Sequence, residues 1–250
     1  MLVPYQCAGL PPGPWLIFAP HADDETFGMG GALRLAADQG IATHVIVITD
    51  GALGGESVDA AQAAALVQTR QQELNAACAL LGVSDIDTWD QPDRGLVLAP
   101  ALIERIASQI ADVRAGTVFF PGPLELHPDH RMTALLVWQA AQVLRRRAWR
   151  GALPQLWSYE ISVQSPVNRL LDITSVTAIK QQAMAVYASQ NSQNNYPELI
   201  MALNKARTFS LPAAVSHAEA FYQFSDDEAA GSLRAAAEAA LARYFAVQET

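Results

Sequence analysis

Cysteine is nearly missing from this 250-residue sequence. Cys7 and Cys78 are too few and too far apart to read as a disulfide framework or a cysteine-based zinc site, so a reducing cytoplasm is the expected compartment. Long apolar runs are missing too. No stretch approaches the ~18 apolar residues of a membrane span, and Pro4, Pro11, Pro12 and Pro14 interrupt the N-terminal region where a signal peptide would need continuity. Neither an export signal nor a membrane anchor is expected. Positive charge is scarce: 16 Lys and Arg against 25 Asp and Glu leave a formal net charge of −9. That balance argues against broad electrostatic attachment to nucleic acid or anionic lipid. The one basic run, Arg145-Arg146-Arg147 with Arg150 behind it, falls at the end of a predicted helix, where cations complement the C-terminal dipole.

What is present is enough apolar material for a sizeable core: 51% of residues are hydrophobic and 16% charged. The length suits one domain spanning residues 1–250. Short β-rich runs at Trp15 to Ala19, His44 to Thr49, Asp85 to Trp89 and Thr117 to Phe120 alternate with helical patterns at Gly30 to Gln39, Ala60 to Leu81 and Pro100 to Val113. This β-α-β-α-β-α-β order predicts an α/β fold, a Rossmann-like and mostly parallel sheet with helices on both faces. The second half adds strands at Gln155 to Tyr159 and Ala218 to Phe224 and helices at Ser175 to Tyr187 and Tyr196 to Arg207. An Ala-rich helix, opened by the capping box Ser225 to Glu228, is predicted to run to about Phe245.

In open parallel sheets ligands bind outside the carboxyl ends of the strands. Two polar clusters follow strands here. The first, Ala19-Pro20-His21-Ala22-Asp23-Asp24-Glu25, sets three carboxylates beside a histidine, an arrangement that is costly unless a cation neutralises it. The second, Leu126-His127-Pro128-Asp129-His130-Arg131, uses Pro128 to keep His127 in the loop and to start a helix that carries His130 and runs to about Arg146. Two histidines and one aspartate from separate segments would give three N/O ligands with a position open for water, the pattern of a catalytic zinc site. Two His and one Asp would also accept Fe(II), Co(II) or Mn(II).

These two motifs resemble those of the LmbE-like or PIG-L deacetylases, which read A/P-H-P-D-D-E and H-P-D-H. The resemblance implies zinc on His21, Asp24 and His130, with Asp23 as general base and His127 beside the scissile carbonyl as acid or oxyanion stabiliser. On this reading Asp129 orients or charge-stabilises His127. Fainter similarities lie at Thr49-Asp50-Gly51, Arg70 with Glu73, and Lys180 with Ser189-Gln190. Ala22 stands where the family usually has proline, which loosens one turn without removing a functional group. The implied reaction is removal of acetyl from an N-acetylglucosamine-type sugar conjugate, with a small N-acetylated sugar as substrate. Other amides, such as a thiol-sugar conjugate or a glycosylated natural product, and a non-catalytic sugar or nucleotide binder on the same fold are the rival readings.

Arg70 is either a substrate contact, as the resemblance implies, or a surface i,i+3 partner of Glu73. Asp93, in a Pro-Asp-Arg-Gly turn, is a candidate acceptor for a sugar hydroxyl. His44 and His217 read as packing residues. Gly28-Met29-Gly30-Gly31 fails the dinucleotide template because Leu33 occupies the third glycine position, so these glycines are expected to allow close packing behind the metal loop. The number of subunits is left open, a homo-oligomer included.

Overall fold

Strand β1 (Trp15–Ala19) is buried along its whole length, and its side chains divide between two cores. Trp15, Ile17 and Ala19 enter one and Leu16 and Phe18 the other, as the two-residue period of a strand dictates for a sheet covered on both faces. The computed structural model describes residues 9–55, 59–147 and 151–245; Cys7 and Arg150 lie outside them. Strands β1, β2 (Thr43–Thr49), β3 (Asp85–Gln91), β4 (Thr117–Pro121) and β5 (Gln155–Tyr159) pair in parallel. Two antiparallel strands, β6 (Arg169–Asp172) and β7 (Ala218–Gln223), extend the edge, giving the order β3-β2-β1-β4-β5-β7-β6. The chain reverses direction across the sheet between β1 and β4, the switch point at which such folds place their sites.

Helices α1 (Asp24–Asp38), α2 (Ala60–Leu81), α5 (Thr177–Val186) and α7 (Tyr196–Ala206) contribute to one core. Helices α3 (Pro100–Val113) and α4 (Pro128–Arg146), with α8 (Asp226–Ala230) and α9 (Leu233–Ala242), contribute to the other. A single turn, α6 (Ala188–Asn191), joins α5 to α7. The sequence-derived bounds of α2 and α3 coincide with those observed. The Ala-rich helix does not run unbroken: Ser225 forms its capping box with Glu228, but Gly231 ends that helix, and Ser232 caps a new one by accepting Ala235 N–H. Strand β6, four residues with charged ends, carries too little alternation to be read from sequence.

The largest departure is at α1, which starts at Asp24 and not near Gly30. Met29 leaves helical geometry (φ −144°, ψ 26°), so α1 is two helical pieces end to end, the second beginning at the predicted start. The packing that surrounds the break needs glycine. A Cβ on Gly28 would sit 2.4 Å from Tyr159 Cδ2, and one on Gly31 2.5 Å from Ile173 Cγ2. His44 and His217 are half-buried and not core residues: His44 lies 3.5 Å from Asp85, and His217 Nδ1 meets Ser216 Oγ at 3.1 Å. Of the basic run, Arg145 pairs with Asp226 and Arg147 with Glu104.

Candidate metal centre

The carboxyl ends of β1 to β4 bring the predicted residues together. Pro20, directly after β1, is fixed by Thr49 at the end of β2, whose N–H and hydroxyl both donate to the Pro20 carbonyl (3.0 and 2.8 Å). His21 follows, and Asp24 begins α1. One oxygen of Asp24, Oδ2, lies 3.1 Å from His21 Nδ1 and 3.2 Å from His130 Nε2, and it accepts His21 N–H at 3.0 Å. The three side chains are buried.

Each imidazole presents its other nitrogen to a different carboxylate. His21 Nε2 lies 3.3 Å from Asp129 Oδ2 and 3.4 Å from Asp93 Oδ1, and His130 Nδ1 lies 3.6 Å from Glu125 Oε2. The His21–Asp129 hydrogen bond is of the kind that fixes the tautomer and raises the basicity of metal-ligating histidines, whereas His130 Nδ1 faces Glu125 from beyond hydrogen-bond distance. The carboxylates draw positive charge strongly. Burial alone would lower His21 and His130, but the carboxylates of Asp129, Asp24 and Asp93 around His21 push it well up, and Asp24 raises His130 to about 9. Burial works against the charged form of Asp24 as well, yet His130 and His21 hold its carboxyl far below the usual range. Two imidazoles and a carboxylate oxygen converging in a buried acidic site are a donor set that fits zinc or another borderline divalent cation.

Asp23 faces a different way. Its backbone is left-handed (φ 137°), a conformation that an Asp holds only when its surroundings impose it. Glu25 accepts Asp23 N–H at 3.1 Å and is itself bonded by the hydroxyls of Thr26 and Tyr187. Arg70 Nη2 donates to the Ala22 carbonyl (2.8 Å) and to Asp23 Oδ2 (3.2 Å), while Nη1 reaches the Gly51 carbonyl (3.2 Å). The turn that lacks the family's proline is thus clamped from two sides. Burial pushes Asp23 up to about 7 against the opposing charge of Arg70, with Asp24 adding to the rise.

Arg70 is therefore not a surface partner of Glu73. It is buried on Asp23, whereas Glu73 binds Ser189 through the Ser189 N–H (2.9 Å) and hydroxyl (2.6 Å). Both terminal nitrogens of Arg70 are used by protein acceptors, which makes it a holder of the Asp23 loop at the cavity edge. Asp93 is likewise drawn into the cluster: Oδ2 accepts Leu53 N–H at 3.0 Å, and Oδ1 is the atom beside His21.

His127 occupies the loop at the N-terminus of α4, and its Nδ1 accepts Asp129 N–H at 3.2 Å. That bond leaves Nε2 as the protonated nitrogen of the neutral ring, and burial together with the nearby His21 and His130 keeps the ring pKa below its ordinary value. The orienting contact therefore comes from the main chain of Asp129. Its carboxylate is 4.0 Å from His127 and is instead held at 2.7 Å by Arg94 N–H and at 3.3 Å by His21.

Ligand-capable atoms of His21, His127 and His130 lie within 4.8 Å of one another, so a three-histidine site is the alternative grouping to the two imidazoles on Asp24 Oδ2. The set His21, Asp93, His127 and Asp129 is equally close. The two placements of His127 part on one variant. His127→Ala should keep full metal content and lose roughly 10²-fold in kcat; loss of metal in elemental analysis would make His127 a ligand.

Glu125 is the residue that the sequence reading missed. It is buried, accepts the N–H groups of Ile161 (2.8 Å) and Ser162 (3.1 Å) and the Ser162 hydroxyl, and faces His130. The only sequence signal was its place, just after β4 and two residues before His127. Glu125→Gln keeps the shape and removes the charge behind His130, so metal affinity measured by competition with a chelator should fall about 10- to 100-fold. An unchanged affinity would leave Glu125 with a loop-holding role only.

The site opens into a cavity of about 760 Å³ lined by His21, Asp23, Asp24, His127 and His130 at one end. A family model described as PIG-L, GlcNAc-PI de-N-acetylase, matches residues 16–141, the span that carries His21, Asp23, Asp24, Arg70, Asp93, Glu125, His127, Asp129 and His130. The chain is 28% identical to the diacetylchitobiose deacetylase of Thermococcus kodakarensis over 185 residues, 70% of this chain and 69% of that one. Among solved structures, the N,N'-diacetylchitobiose deacetylase of Pyrococcus horikoshii superposes with a TM-score of 0.73 at 22% identity, covering 84% of this chain and 82% of that one. GalB, the 4-carboxy-2-hydroxymuconate hydratase of Pseudomonas putida, superposes at 0.70 and 21% identity, covering 83% and 94%. At these identities the two superpositions speak to the fold, and the fold alone does not choose between hydrolysis and hydration.

Proposed function

This chain belongs to the PIG-L de-N-acetylase family, and on that premise we propose that it is a metal-dependent hydrolase removing the acetyl group from an N-acetylglucosamine-type sugar conjugate. The observation that carries the reading is the convergence of His21 Nδ1 and His130 Nε2 on Asp24 Oδ2, with Asp23 and His127 flanking them at the cavity floor. His21, Asp24 and His130 would hold zinc, or Fe(II), Co(II) or Mn(II) in its place. Such a cation polarises a carbonyl and lowers the pKa of a water to roughly 7.

The protein's own groups do the rest. Asp23, held at the cavity floor beside Asp24, takes the proton of the attacking water. His127 Nε2–H donates to the amide oxygen as negative charge develops there. Glu25 and Arg70 hold Asp23 in its strained turn, so the base is oriented before substrate arrives. Asp93, beside His21 at the cavity edge, is the candidate acceptor for a sugar hydroxyl. Water attack forms the new C–O bond, the proton held by Asp23 passes to the amide nitrogen as the C–N bond breaks, and a free amine and acetate result in equal amounts.

No helix among the described residues is long and apolar enough to cross a membrane. A cytoplasmic location is proposed on cysteine usage, since Cys78 is free and buried. The decisive experiment incubates metal-replete protein with a panel of N-acetylated sugars and follows acetate and amine together by mass spectrometry. Matched release supports the proposal. Metal-dependent addition of water to an unsaturated acid, without acetate release from any sugar, would replace it with a hydratase.

A further inference from the structure

The mouth of the cavity is built of different material from its floor. Leu53, in the loop after β2, Leu126, in the loop after β4, and Leu199, on α7, are 48%, 70% and 49% exposed, and all three line the opening. Single exposed leucines are ordinary on a protein surface. Three from separate elements that line one cavity give it an apolar rim, and exposed apolar side chains gathered at a cavity point to a binding site. Behind them Phe27, one turn past Asp24 on α1, packs edge-on against Tyr187 (5.9 Å) and near Tyr196 (6.0 Å), so an apolar wall runs from the metal cluster out along α7. Tyr196, Leu199 and Leu203 carry that wall at i, i+3 and i+7, one face of the helix.

On the proposed reading the acetamide reaches Asp23 and His127 at the floor. The anomeric substituent leaves from the carbon next to the one that bears the acetamide, so an extended group there can run along the α7 wall toward the three leucines. A cavity of about 760 Å³ is well above the ~300 Å³ lower end of ligand pockets, which leaves room beyond one sugar. Of the two arginines in the lining, Arg70 is committed to Gly51, Ala22 and Asp23, and Arg94 sets Nη2 3.4 Å from the Leu53 carbonyl, which leaves its charge as the one feature of the mouth that an anionic substituent would use.

We propose that the mouth formed by Leu53, Leu126, Leu199 and the α7 wall is an aglycone subsite, and that the natural substrate carries an apolar alkyl or aryl group on its N-acetylated sugar. The proposal rests on the deacetylase reading of the floor and adds the chemical class of what is attached. It is tested with methyl, hexyl and carboxymethyl glycosides of N-acetylglucosamine and the full-length, metal-replete protein, by acetate release and by calorimetric binding. The hexyl glycoside should exceed the methyl glycoside by at least about 10-fold in both kcat/KM and affinity, and Leu199→Asp should bring that ratio close to one. Equal values for hexyl and methyl would overturn the subsite, and a preference for the carboxymethyl glycoside would assign the mouth to anion recognition by Arg94. Should no glycoside release acetate, the deacetylase reading fails by itself, and the binding ratio with its response to Leu199→Asp still decides the subsite.

Discussion

Asp23→Asn should retain its divalent metal and lose about 10²- to 10⁴-fold in kcat, whereas Asp24→Asn should lose the metal itself. On the proposed reading the two acids, adjacent in sequence, are opposite in task. Asp24 Oδ2 is the point on which His21 Nδ1 and His130 Nε2 converge, and a neutral amide there removes the only carboxylate of the proposed ligand set. Asp23 stands on a left-handed backbone with its carboxylate against Arg70. An asparagine preserves its size and can still accept from Arg70, so the turn should survive. What it cannot do is accept a proton from water. Metal content by elemental analysis and kcat for both variants, measured side by side, settle the assignment. Metal lost from Asp23→Asn and kept by Asp24→Asn would exchange the two roles.

The sequence makes the frame legible because burial on both faces leaves a strong trace. Strands such as Leu-Ile-Phe-Ala after Trp15 and Val-Ile-Val-Ile within β2 are short continuous apolar runs rich in β-branched and aromatic residues, the trace of a strand buried on both faces. Once the strands are placed, the topology puts His21, Asp93 and His127 at one edge, and Pro128 separates the geometry of His127 from that of His130. Contacts that cross the sheet edge leave no such trace. Glu125 facing His130, Asp129 turning from His127 to His21, and Glu73 reaching Ser189 are partners chosen by three-dimensional packing, and nothing in local spacing records them. Arg70 shows how a local rule misleads: three residues from Glu73 on one helix, it satisfies the spacing of a surface pair, but the burial of both residues sends them to different partners.

Replacing Lys180 by Met should cost about 3–5 kcal/mol of stability, which for a chain of this size lowers Tm by roughly 6–20 °C. Lys180 and Glu219 are both fully buried, 2.7 Å apart, and sit in the break of α1 at Met29. Glu219 accepts Gly31 N–H and Ala32 N–H, both at 2.7 Å, a carboxylate on the N-terminus of the second helical piece. Lys180 donates to the Phe27 carbonyl at 2.9 Å, a cation on the C-terminus of the first, and spends its remaining donors on Asn204 and Glu219. Removing the cation leaves Glu219 buried with an unbalanced charge and leaves the Phe27 carbonyl without its donor. Because Phe27 follows Asp24 by one turn, the damage should also reach the metal cluster, and Lys180→Met should weaken metal binding as well as lower Tm. Lys180→Met combined with Glu219→Gln removes the orphaned charge and should recover at least about 1 kcal/mol relative to Lys180→Met alone, the non-additivity expected of two residues in one network. Thermal unfolding of the four proteins of this cycle measures it directly. An unchanged Tm in Lys180→Met, or strict additivity across the cycle, would show that the broken helix is held by its packing against Tyr159 and Ile173 and not by the buried pair.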